Sequence, residues 1–321
     1  MIQLAASGIR AAWEPSSGHL PLLEIGGAPV LWAAPWRGDT DVQSDAAIPY
    51  VDRRLGGTFV CAPFGRDDVD DGPPHGACAN APWHLHRAAP ASLTAGRALA
   101  RGHITATLAL RDEHPVLYQT HVLELDAPTT FAHHPIVPLA GGGRLSGNPR
   151  ASLTFAAEAP VLEQGARAEG WIHGLRDYPT GLAEDFATLV HAPGLAWTAV
   201  ARAAEDDTII MLKRAEQLPA TNLWLSNGAR SGMWRAARGL LGIEDAICAG
   251  AEGFAAALGE SRVGAEGVPT ALPPGRHAIV HAIVRVPGRH DIAGVTLAPD
   301  RATFDTGGAP VTIPFDGGHF A

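Results

Sequence analysis

LGGTFVCAPFGRDDVDDGPPHGACANAPW, residues 55–83, gathers chemistry-bearing side chains on a sequence that turns repeatedly. Arg66, the dipeptide His75-Gly76, Asn80 and Trp83 stand among glycines and prolines, between short runs that read as strands. Loops carried by a rigid scaffold are where binding and catalytic groups collect. Pro73-Pro74 stiffens the chain just ahead of His75, because proline fixes φ and so helps hold a polar group in one geometry.

Outward from this block, short alternating runs are separated by Gly, Pro, Asn and Asp, the pattern of strands and turns. Residues 103–110 place Ile104, Ala106, Leu108 and Leu110 on one face, and residues 116–125 place Leu117, Leu123 and Leu125 together. Residues 278–285 read as a late strand. The 37 glycines and 26 prolines leave little room for long helices. Short helices are expected at 231–241 and 249–258, and a loop at Gly141-Gly142-Gly143-Arg144. Many strands without alternating helices point to a sandwich or barrel. The expected architecture is a single all-β domain, 1–321, built as a large antiparallel β-sandwich.

Composition narrows the function. Hydrophobic residues make up 46% of the 321-residue chain, enough for a sizeable core, and charged residues only 18%. The net charge of −9, with scattered basic residues, excludes the clustered Lys/Arg face of a nucleic-acid binder. Three cysteines without C-x-x-C spacing argue against a disulfide scaffold or zinc ribbon. No H-E-x-x-H, G-x-S-x-G or Gly-Lys-Ser/Thr element is present. No metal or cofactor is expected. The N-terminus lacks a signal-peptide pattern and no run is long enough to span a membrane, so a cytoplasmic protein is expected.

Read in order, Pro63-Phe64-Gly65-Arg66, His75-Gly76-Ala77-Cys78-Ala79-Asn80 with Trp83, and His133-His134-Pro135 resemble the aldose 1-epimerase (galactose mutarotase-like) family. Thr221-Asn-Leu-Trp-Leu-Ser-Asn227 and Gly242-Ile-Glu-Asp-Ala-Ile-Cys248 resemble its paired late strands, and the order covers nearly the whole chain. The resemblance implies a sugar-binding cleft across one sheet of a β-sandwich. It assigns His134 as general acid, His75 and Arg66 as sugar-holding groups, and Asn80 to the same wall. Trp83, Trp171, Trp224 and Trp234 are candidate stacking platforms. Histidine suits the acid role on its own chemistry, since it titrates near neutrality.

Two positions depart from the family pattern. Ala79 replaces an arginine, and the turn Leu272-Pro-Pro-Gly-Arg276 holds arginine where the family has its general-base glutamate. Arginine cannot be deprotonated in a protein. Glu244, Asp245 or another carboxylate must then serve as base, with Glu244 the best replacement; if no base exists and the site only binds sugars, Arg276 is left to contact an anionic group on the ligand. The expected partner is a small sugar or sugar phosphate, and the expected activity an aldose or hexose-phosphate 1-epimerase. The alternative is a non-catalytic carbohydrate-binding or sensing protein that kept the cleft and lost the base.

Overall fold

A computed structural model describes residues 1–155, 178 and 183–321. Among these, two antiparallel sheets face one another. One has eight strands in the order Gly143–Gly147, Leu195–Arg202, Asp207–Arg214, Gly275–Pro287, Val116–Leu125, Gly102–Ala109, Ser92–Leu99, His84–Ala89. The other runs Pro149–Phe155, Ala183–His191, Ala220–Asn227, Leu240–Ile247, Phe131–His133, Val60–Cys61, with Ile136–Pro138 also paired to Leu240–Ile247.

The period-2 alternation of strands decides which layer each residue enters. Along Leu240–Ile247, Leu241, Ile243 and Ile247 enter the core between the sheets with Val200, Ile209, Met211 and Ile283. Leu240 and Ala246 point the opposite way, into a second cluster with Trp36, Phe59, Cys61, Phe64 and Ile136. On the far side of the eight-stranded sheet, Val116, Tyr118, Ile210 and Val284 pack against Phe304, Phe315 and Phe320 of the C-terminal segment. The expected faces hold: Ile104, Ala106, Leu108, Leu117, Leu123 and Leu125 all lie in the inter-sheet core.

The helices are shorter than expected. In 231–241 a single 3-10 turn, Gly232–Ala236, gives way to a strand that begins at Leu240. In 249–258 the 3-10 turn Gly250–Glu252 is cut from the helix Phe254–Ala257 by Gly253, whose φ of 97° no helix accommodates. Of the expected 141–144 loop, residues from Gly143 onward already belong to a strand. Trp171 lies outside the described residues. Among the described residues no helix is long and apolar enough to cross a membrane.

The motif block is pinned to the sandwich at Gly57. Its φ of +71° is left-handed, and a Cβ there would stand 1.8 Å from the Leu20 carbonyl oxygen. Only glycine allows the backbone approach that bridges Leu20 to Thr58, from which the chain carries Phe59, Cys61 and Phe64 into the cluster on the outer face of the seven-stranded sheet.

Candidate active site

The pleat divides three polar doublets. His133, Asp185 and Asp245 sit on the inner side of the seven-stranded sheet; His134, Glu184 and Glu244 serve its outer side. There His134 Nε2 lies 3.1 Å from Glu244 Oε1. Phe59 is stacked between two histidines, with its ring 4.5 Å from His134 and 4.4 Å from His19. His75 meets His134 edge-on at 5.1 Å between ring centroids. Trp224, opposite Gly242 in the strand register, closes the other flank at 6.3 Å from His134.

Electrostatically the His134–Glu244 pair is neutral. Burial pushes the Glu244 carboxyl well above its usual range. Burial, with His75 and His19 nearby, holds His134 well below the usual imidazole range. Among the described residues His134 Nδ1 and Glu244 Oε2 are both buried without a protein partner. Such orphaned buried atoms cost stability and call for an explanation. The pair can release a proton from one partner and accept one at the other without leaving net charge in a water-poor site.

Sequence reading missed the neighbouring group around Glu184. Arg230 donates to Glu184 Oε1 from Nε at 2.8 Å and Nη2 at 2.6 Å, and Trp224 Nε1 donates to the same oxygen at 2.8 Å. The guanidinium lies over the rings of Trp224 and Trp234, at 5.2 and 4.9 Å. Glu184 Oε2 is buried and has no partner among the described residues. The available signal was alternation: Glu184, Phe186 and Thr188 share a face, and Phe186 pairs with Trp224 across the strands.

Of the sequence-derived candidates, the fold brings together His134, His75, Glu244 and Trp224. Asn80 is instead a brace: its Oδ1 accepts from the Val51 amide, and its Nδ2 donates to the Pro74 and Gly76 carbonyls. Trp83 belongs to the inter-sheet core, donating to the Cys78 carbonyl and packing edge-on against Trp13. Arg66 is on the surface, its side chain 75% exposed and ion-paired to Asp68 at 3.1 Å. Arg276 is exposed at the start of a strand of the eight-stranded sheet, opposite Glu124, away from the sheet that carries Glu244.

No family model and no curated protein sequence matches the chain. Solved structures do. A candidate aldose 1-epimerase from Escherichia coli K12 superposes with a TM-score of 0.64 at 14% identity, over 89% of this chain and 98% of that one. The fold is galactose mutarotase-like. The GalM/aldose epimerase homologue from C. elegans has a TM-score of 0.61 at 14% identity, over 90% and 99% of the two chains. A galactose mutarotase related enzyme from Lactobacillus acidophilus has a TM-score of 0.58 at 9% identity, over 90% and 98%. At these identities the likeness fixes the mutarotase-like scaffold, and function rests on the site.

Proposed function

We propose that the protein is an aldose 1-epimerase, with His134 as general acid, Glu244 as general base and His75 as a hydrogen-bond donor to the sugar. The observation that carries this reading is the 3.1 Å contact between His134 Nε2 and Glu244 Oε1 on the outer face. Anomer exchange needs removal of the O1 proton, protonation of the ring oxygen O5 and cleavage of C1–O5, then the reverse after rotation about C1–C2. A proton shift from Glu244 to His134 across the 3.1 Å contact first makes the pair ionic; Glu244 then accepts the O1 proton while His134 gives its proton to O5, which leaves the pair neutral again. Reclosure returns both. The net charge of the site is constant throughout, which suits a buried pair whose partners are both biased toward neutrality.

The indole of Trp224 supplies an apolar surface for one sugar face, and Glu184 Oε2 an acceptor for a hydroxyl. His134 is 5% exposed and Glu244 2%, so a sugar reaches the pair only when the side chains packed around it move. The glycines at 228, 232 and 239, all with positive φ, lie around the segment whose Arg230 and Trp234 pack against Trp224.

Gly242 gives a test by geometry alone. A Cβ at this position would lie 2.7 Å from Glu244 Oε1 and 3.3 Å from Trp224 Cβ. Gly242→Ala is expected to fold while displacing the carboxylate from His134, slowing exchange by roughly 100-fold. Thermal melting beside the rate assay checks both halves; an unaltered rate would show that the carboxylate position does not matter.

Optical rotation of freshly dissolved α-glucose, α-galactose and glucose 6-phosphate tests the reading itself. Wild type is expected to hasten equilibration of a neutral sugar, and His134→Ala to return it to the rate without protein. The binding-protein reading, favoured by the burial of His134 and Glu244, predicts no acceleration by wild type but a saturable sugar-induced change in tryptophan fluorescence.

A further inference from the structure

Two groups converge on one nitrogen of His75. Cys61 Sγ lies 3.3 Å from Nδ1, and the Gly65 backbone N–H donates to the same atom at 3.4 Å. A backbone amide only donates, so Nδ1 is the bare, accepting nitrogen, and the proton of the neutral ring falls to Nε2. The thiol can then donate to Nδ1 as well. Cys61 is fully buried, and burial pushes its thiol up, which keeps the S–H in place. Burial likewise brings His75 down to about 4, so the ring is neutral at physiological pH.

The rest of the residue is equally constrained. His75 has a left-handed φ of 63°, and its N–H donates to the Gly65 carbonyl at 2.7 Å. Phe59 and Phe64 meet its ring edge-on at 5.9 and 5.6 Å. Among the described residues Nε2 has no protein hydrogen-bond partner, and the ring borders His134.

We propose that Cys61 is a positioning residue that, with the Gly65 amide, locks His75 in the tautomer protonated on Nε2 and so makes it a permanent hydrogen-bond donor to the sugar. The inference deepens the epimerase reading and rests on it for its functional half. A ring free to exchange tautomers would present an acceptor to the sugar part of the time. A thiol suits the position because it is small, apolar enough for the cluster of Phe59, Phe64 and Ala132, and still a weak donor.

Nitrogen-15 histidine spectra of wild type, Cys61→Ser and Cys61→Ala read the tautomer directly, without any sugar. The expected result is an Nε2-protonated His75 in wild type and in Cys61→Ser, where the hydroxyl replaces the thiol donor. Cys61→Ala is expected to show mixed tautomers and an anomer exchange rate about tenfold lower, the worth of one hydrogen bond. An Nδ1-protonated His75 in wild type, or an unchanged tautomer in Cys61→Ala, overturns the proposal. Correct tautomers without exchange activity in wild type would instead sink the epimerase reading and leave the positioning geometry standing.

Discussion

Asp245→Ala is expected to lower the unfolding free energy by about 3–5 kcal/mol, a large part of a domain's stability. Asp245 lies between the sheets with its oxygens fully engaged. Lys213 Nζ is 2.9 Å from Oδ1, Thr221 Oγ1 donates to Oδ1 at 2.6 Å, and His281 Nε2 is 3.0 Å from Oδ2. Burial alone would raise this carboxyl; the Lys213 ammonium, His281 and Thr221 override that and hold it well below the usual range. Lys213 and His281 belong to the eight-stranded sheet and Asp245 to the seven-stranded one, so the cluster ties the two layers together. Removing the carboxylate strands a fully buried ammonium. The paired replacement Lys213→Met with Asp245→Leu is expected to be far milder, since it removes the desolvation cost of both charges. Denaturant unfolding of the single and double variants checks this; equal losses would show that the pair itself, and not the stranded charge, matters.

Mild acid is expected to unfold the protein. Burial brings His19, His121 and His191 each down to about 3. In the unfolded chain histidine titrates near 6.5, so between pH 6.5 and 3 only the unfolded form takes up these protons. Stability is therefore fully present above pH 6.5 and lost as the pH falls through that window. At pH 5 each such group costs about 2 kcal/mol, and three together rival the roughly 5–15 kcal/mol of a typical domain. His133, depressed by burial beside His281, His121 and Lys213, acts in the same direction. Glu244 acts oppositely: burial raises its carboxyl well above the usual range, so acid relieves its cost. The melting temperature measured from pH 7.5 to 4.5 should drop steeply below pH 6. A flat profile would contradict the neutral burial of these rings.

The architecture was legible because the strands alternate cleanly, as at Ile104, Ala106 and Leu108, and because glycine and proline punctuate the chain. The site was legible in part. His134, His75 and Trp224 were named from motif order and Glu244 as a substitute carboxylate, and the fold brings these four candidates together at the outer face of the seven-stranded sheet. Asn80 and Trp83 both satisfy backbone groups near themselves, a local duty that the motif string does not separate from ligand contact. Glu184 was invisible because Arg230, its partner, lies 46 residues further on. The Arg276 turn matched in order only, and it lies on the other sheet.

Anomer exchange of glucose and galactose, followed by two-dimensional exchange NMR with wild type, Glu244→Gln and Arg276→Ala, tests the central claim most directly. Wild type and Arg276→Ala are expected to exchange anomers at similar rates, and Glu244→Gln to be slower by about 100- to 10,000-fold, the usual contribution of a positioned acid–base group. Exchange by Glu244→Gln at the wild-type rate, or acceleration lost only in Arg276→Ala, would contradict the assignment of the base.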